Sequence, residues 1–391
     1  MKINKHCFPN GLRLVHYEDT STQMVALNIV YDVGARDEHP EHTGFAHLFE
    51  HLMFGGSAHI PDYDTPLQLA GGENNAWTNN DITNYYLTVP KPNVETAFWL
   101  ESDRMLELAF SEQSLEVQRG VVMEEFKQRC LNQPYGDVGH LFRPLAFRVH
   151  PYRWPTIGKE LSHIEQATLD EVKSFFYRFY APNNAVLAVT GNISWDETVK
   201  LTEKWFAPIP RRDVPVRQLP QEPEQTQERR LTVERNVPLD ALFMGYHMCS
   251  REGADYYAFD ILSDILSNGR SSRLNRRLVQ EQNIFSGIDA YISGTRDAGL
   301  LQISGKPAAG VSLEQAEAAV RKELEELQRS PVDGQELEKV KNKFESTQIF
   351  GNINYLNVAT NLAWFELTGK AEDIDLEVER YRSVTTEQLH T

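Results

Sequence analysis

The chain has 391 residues, 41% of them hydrophobic, and carries 39 Lys and Arg against 56 Asp and Glu, for a formal charge of −17. That length can bury a large core and exceeds the usual size of one domain, so two domains are expected. The acidic balance argues against nucleic acid or an anionic membrane surface as a partner, since both select clustered Lys and Arg, and no stretch approaches a membrane-spanning run.

Cys7, Cys130 and Cys249 are odd in number and far apart, which fits free thiols rather than a disulfide framework or a thiolate metal site. Met1 to His6 has no apolar core of signal-peptide length, so a reducing cytoplasm is the expectation; a periplasmic or otherwise exported protein whose signal had been removed would read the same.

In chain order, Pro9-Asn10-Gly11 is a turn, after which Leu12 to Tyr17 alternates as a strand and Met24 to Val33 reads as a second. An apolar helical pattern runs from near Thr43 to Phe54 and is stopped by Gly55-Gly56. Strands follow at Ile82 to Val89 and Ala185 to Gly191, with helices expected at Val94 to Phe110, Leu115 to about Leu131 and Leu169 to Tyr180. Between Ala207 and Pro238 the chain is rich in Pro, Gln and charge, as an extended interdomain linker would be.

Past that stretch the same order returns: a strand at Leu242 to His247, then a helix at Tyr256 to Leu266. Leu48-Phe49-Glu50-His51-Leu52 falls opposite Leu262-Ser263-Asp264-Ile265-Leu266, so the second half reads as a copy without metal ligands. The expected fold is α+β: two homologous domains, 1–207 and 239–391, joined by a linker at 208–238, each a mixed or antiparallel sheet packed with helices. Thr385 to Leu389 parallels Thr168 to Val172, where a helix and a strand follow, so the second domain is expected to lack its C-terminal end.

The helix at 43–54 carries the chemistry. His47 and His51 are four residues apart and converge on one side of a helix, with Glu50 beside them. Two neutral imidazoles suit zinc, and a carboxylate nearby can take a proton from water, the inverted zincin pattern His-x-x-Glu-His. A catalytic zinc needs a third protein ligand, and Glu116, Glu124 and Glu125 on the next long helix are the candidates.

The run Val33 to Glu38, Thr43 to Phe54, Asn75-Ala76-Trp77-Thr78, Arg119 to Glu125, His150-Pro151-Tyr152 and Ser271 to Leu274 resembles the pitrilysin (insulinase) family of zinc metallopeptidases, which includes mitochondrial processing peptidase. The resemblance spans nearly the whole chain. It implies one Zn2+ per chain held by His47, His51 and Glu125, which lies 125 − 51 = 74 residues past His51, with Glu50 as general base. It also implies that an edge strand at Asn75 and Ala76 binds peptide substrate by strand addition.

Two positions depart from the family pattern. Gln118 stands where the family usually has a Glu seven residues before the ligand, and can orient a neighbour without supplying charge. Active relatives carry an Arg and, seven residues on, a Tyr in the second half; here the aligned residues are Val279 and Ser286, with Arg276, Arg277 and Tyr291 as nearby substitutes under a shifted alignment. Two repeats make half of a clamshell, so the expectation is a heterodimer with a homologous subunit that brings the Arg/Tyr pair, the alternative being a homodimer. The competing readings are a noncatalytic scaffold subunit of the same fold and a hydrolase of some nonpeptide substrate.

Overall fold

Why the first half folds as it does is clearest in its two central strands. In the computed structural model, which describes residues 1–390, β3 (Met24–Tyr31) and β6 (Ala185–Gly191) are buried on both faces. Successive strand residues point to opposite sides. Val25, Leu27, Ile29 and Tyr31 of β3 join Ala185, Leu187 and Val189 of β6 in one core, while Ala26 and Val30 join Val186 and Ala188 in a second. Near-continuous apolar strands are what two covered faces require.

Around them lie β1 (Asn4–Cys7), β2 (Arg13–Glu18), β4 (Glu73–Thr78) and β5 (Thr83–Pro90), giving a six-stranded sheet in the order β1-β2-β6-β3-β5-β4. Only β2 and β6 run parallel. β4 ends the sheet.

The first core is covered by α1 (Phe45–Leu52), α2 (Asp64–Leu69), α3 (Val94–Leu106), α4 (Glu112–Phe126), α7 (Leu169–Phe179) and α8 (Trp195–Trp205); α5 (Val138–Ala146) and α6 (Leu161–Glu165) fall between α4 and α7 in the chain. α1 buries Phe45, Leu48, Phe49 and Leu52, a 3–4 spacing that makes one apolar face. Each such side chain contributes roughly 1.5–3 kcal/mol of burial. Phe49 stacks on Phe175 and Tyr180, with ring centroids 5.1 Å apart in both pairs, and the Tyr85 hydroxyl donates to the Phe49 carbonyl at 3.3 Å. His47, Glu50 and His51 are left on the other side of this helix.

The second unit is built on an antiparallel sheet of β7 (Leu242–Met248), β8 (Phe285–Ile292) and β9 (Gly299–Pro307) in the order β7-β9-β8. α9 (Tyr256–Ser267), α10 (Leu313–Arg329) and α11 (Gly334–Gly351) pack with it around Ile261, Ile265, Phe285, Ile303, Val320 and Val340. The order strand, helix, two strands repeats that of β3, α1, β4 and β5, and in both sheets the first strand pairs with the third.

The division of the chain differs from the expected 1–207 and 239–391. One unit comprises Met1–Arg229 with Gly351–Asp375, and the other begins at Arg230, runs to Phe350 and resumes at Leu376 through α13 (Glu377–Ser383). The cause is α12 (Tyr355–Thr368), whose Val358, Ala359, Leu362 and Ala363 cover the second face of the six-stranded sheet. A hydrogen bond from Asn28 Nδ2 to Thr360 Oγ1 at 3.0 Å and one from Thr190 Oγ1 to the Tyr355 carbonyl at 2.6 Å fix it there.

Nor is 208–238 a free linker throughout. It has no regular secondary structure, yet up to Arg229 it is strapped to the first unit. Arg212 donates to the carbonyls of Tyr180, Met105 and Leu106, and Arg217 to Asp32 and Asp37. Glu222 accepts from the N–H groups of Arg148, Val149 and His150, and Arg229 donates to the carbonyls of Leu145 and Ala146 at the end of α5. Charge-assisted bonds of this kind hold an extended segment that buries little apolar surface of its own.

Candidate metal centre

The start of α1 is set by a left-handed Gly44, φ 89°, where a Cβ would come within 2.6 Å of Ile164 Cδ1 and 2.9 Å of the Ile157 carbonyl. Gly44 brings no side-chain cap. The carboxylate of Glu38 does that work, accepting from the N–H groups of Gly44 at 2.9 Å and Ala46 at 2.8 Å. Burial pushes the Glu38 carboxyl up to about 8, against these same bonds.

One turn further on, the Nε2 atoms of His47 and His51 lie 3.5 Å and 3.2 Å from Oε2 of Glu125 on α4. The three side chains can each offer one ligand atom with all three atoms within 4.8 Å of one another. α4 is capped by Ser111, whose hydroxyl accepts from the Ser114 N–H, and the Ser114 hydroxyl donates to the Gly55 carbonyl at the end of α1. That contact ties the helix bearing Glu125 to the helix bearing the histidines.

The electrostatics suit a cation. Burial pushes His47 down to about 4, so its ring is neutral near pH 7 and has one nitrogen lone pair to offer. The contact with His51 holds Glu125 below the usual carboxylate range against desolvation, so it is ionised. Two imidazoles and a carboxylate form the donor set that zinc takes when a fourth position stays open. The Nδ1 atom of His47 is buried without a hydrogen-bond partner, so this ring is oriented by packing.

Glu50 is half-buried beside the cluster. Burial raises its carboxyl above the usual range, partly offset by the neighbouring Thr78 hydroxyl of β4 and by His51. A carboxylate whose proton affinity is raised in this way accepts a proton from water more readily than one at its ordinary affinity, which suits a general base.

The other expected residues are distributed as follows. Asn75 and Ala76 lie on β4, opposite Tyr86 and Tyr85 of β5, and the Ala76 N–H is held by the Asn75 side chain at 2.8 Å. Gln118 sits against Gly55 and, among the described residues, makes no hydrogen bond to His47, His51 or Glu125. Glu124 turns away to Lys127, and Glu116 to Arg119. In the second unit Val279 packs against the core and Ser286 donates to the Lys306 carbonyl. Arg277 is ion-paired with Glu323 and Glu326, Arg276 is near Glu281, and Tyr291 is exposed. Sequence reasoning missed Glu38 and Arg129; the latter, four residues past Glu125, places Nη2 at 2.9 Å from Glu125 Oε1.

Comparison with known proteins agrees with this architecture. Residues 13–137 match the model described as Insulinase (Peptidase family M16), and residues 166–344 match that described as Peptidase M16 inactive domain. The chain belongs to the pitrilysin (insulinase) family. Within that family it is 29% identical over 338 residues to Zinc protease PqqE of Helicobacter pylori, covering 85% of this chain and 76% of that one. The crystal structure of a protease from Helicobacter pylori superposes with a TM-score of 0.93 at 26% identity, over 100% of this chain and 95% of that one. A peptidase M16 inactive domain from Pseudomonas fluorescens shares the fold, with a TM-score of 0.89 at 16% identity over 100% and 94% of the two chains. Pitrilysin-family members of this short type are the relatives, and their fold is the α+β fold expected.

Proposed function

We propose that this chain is a zinc-dependent endopeptidase that hydrolyses peptides or unfolded segments bound as an added β-strand, and that it is the metal-bearing subunit of a heterodimer. The observation that carries the reading is the convergence of His47, His51 and Glu125 from two helices onto one point, beside Glu50 and the sheet-ending strand β4.

His47, His51 and Glu125 would hold the ion. Zinc bound there supplies Lewis acidity toward a peptide carbonyl and makes water more acidic. Glu50 takes the proton from the attacking water and returns it to the departing amine, a role that its burial favours by raising its proton affinity. β4 offers main-chain groups to an extended peptide next to Thr78, so the substrate backbone runs past Glu50 whatever its side chains. Asn75 and Ala76 are the residues assigned to that pairing.

The Val279 and Ser286 positions motivate the partner. Neither side chain can donate a charge-assisted bond to a substrate, so a homologous chain with Arg and Tyr there would complete a closed chamber. A scaffold role without catalysis is the second reading, favoured by the same two positions and by the matched description of an inactive domain for residues 166–344. The deciding experiment assays peptide cleavage and zinc content of the chain alone, with a coexpressed homologous chain, and as Glu50→Gln in both settings. Zinc binding with cleavage that appears on adding the partner and vanishes in Glu50→Gln is expected; a chain that binds no zinc, or a Glu50→Gln variant that cleaves at the parent rate, sinks the proposal.

A further inference from the structure

We infer that Arg129 is a positioning residue for the metal centre: it holds one oxygen of Glu125 so that only the other faces the two histidines. This rests on the zinc reading of the site and concerns how the third ligand is aimed.

A carboxylate on a long side chain has two equivalent oxygens and a freely turning terminal bond. In this chain they are distinguished. Oε2 of Glu125 lies 3.5 Å from His47 Nε2 and 3.2 Å from His51 Nε2, whereas Oε1 lies 2.9 Å from Arg129 Nη2. The first oxygen is presented to the point on which the imidazoles converge, and the second is occupied by a guanidinium that cannot lose its charge near neutrality.

The local backbone places Arg129 for this. After Phe126, where α4 ends, the chain makes one wide turn closed by a bond from the Asn132 N–H to the Lys127 carbonyl, five residues back, at 2.8 Å. Such wide turns are uncommon and cluster at functional sites. Lys127 pairs with Glu124 and Arg129 with Glu125, so the two adjacent acids are sorted, one to solvent and one to the site.

Arg129 matters more because the rest of the site is sparsely supported. His47 Nδ1 has no partner, and Gln118 makes no bond to Glu125 among the described residues. Where ligands are held by hydrogen bonds from a surrounding shell, removing one such bond costs about 10–100-fold in metal affinity. The Arg129 side chain is itself 67% exposed, so substituting it opens no cavity and leaves the fold of α4 in place.

The experiment measures zinc affinity of the full chain by competition with a chromophoric chelator, for the parent, Arg129→Ala, Arg129→Lys and His51→Ala, together with the melting temperature of each metal-free protein. Arg129→Ala is expected to bind zinc about 10–100-fold more weakly than the parent at an unchanged metal-free melting temperature, with Arg129→Lys recovering most of the loss. Zinc binding by Arg129→Ala within twofold of the parent overturns the inference. So does an equal loss in Arg129→Ala and Arg129→Lys accompanied by a lowered metal-free melting temperature, which marks a structural role. A parent that binds zinc no better than His51→Ala is the separate result that defeats the zinc reading itself.

Discussion

α1 and α9 occupy the same place in two like-ordered units, and they differ in what they do with their buried turns. In the alignment of the two halves His47 and His51 of α1 fall opposite Ile261 and Ile265 of α9, which are 1% and 0% exposed and belong to the core of the second unit. Glu50, half-buried and raised in proton affinity, stands where α9 has Asp264, which accepts a bond from Asn268 of its own helix end. A helix can carry two imidazoles into a protein interior when another element brings a carboxylate to meet them; without that partner the same turns are worth more as aliphatic packing. His47, with an orphaned Nδ1, shows the cost on the functional side.

The largest effect is expected at the two acids. Glu50→Gln should lower peptide hydrolysis by about 10²–10⁴-fold with zinc content unchanged, whereas Asp264→Asn should leave hydrolysis within twofold; steady-state cleavage with metal analysis checks both. Making α1 like α9 by His47→Ile with His51→Ile should abolish stoichiometric zinc binding while the metal-free protein melts no lower than the parent, because a buried unpaired nitrogen is replaced by hydrocarbon. The reverse swap, Ile265→His, should destabilise the second unit by about 2–4 kcal/mol in urea unfolding, since it adds an unpaired polar ring and removes aliphatic packing.

Acid separates the units more gently. Burial lowers the His16 affinity for protons in β2, so between the unfolded value near 6.5 and its lower folded value the unfolded chain binds more protons, and the first unit loses stability as pH falls below about 6.5. In the second unit burial raises Asp260 and Glu377, whose contribution is present at low pH and lost as pH rises through their folded values. In the first unit the His16 loss is opposed by Glu38, whose contribution grows as pH falls below its folded value of about 8, so His16→Gln should make the first unit lose less stability than the parent when the pH is lowered from 7 to 5. All six tryptophans, Trp77, Trp99, Trp154, Trp195, Trp205 and Trp364, lie in the first unit, so tryptophan fluorescence reports it alone, and hydrogen exchange of β7 to β9 reports the other. A His16→Gln protein whose tryptophan signal keeps the parent's pH dependence would contradict the assignment. Smallest in effect, Glu38→Ala should cost about 1–2 kcal/mol by uncapping α1, with no comparable cap loss available at α9, where Asp255 gives no side-chain cap bond.

Much of this was legible in the chain itself. Local periodicity located β3, β5, β6, β7, α1, α7 and α9 to within a few residues, because each element's pattern is written in its own side chains. The residues His47, Glu50 and His51 were readable for the same reason: a helix turn places them together without help from the rest of the fold. The resemblance to a family, and not the spacing, singled out Glu125 over Glu116 and Glu124.

Tertiary structure decided what depends on contacts between distant segments. Only folding turns Glu125 inward while Arg129 takes its second oxygen, brings Glu38 to the start of α1, straps Arg212 to Arg229 onto the first unit, and lends α12 to a sheet begun more than three hundred residues earlier. Sequence fixes which faces are apolar and which groups are charged; which of several equivalent partners meets each one is settled by the packing that excludes the others.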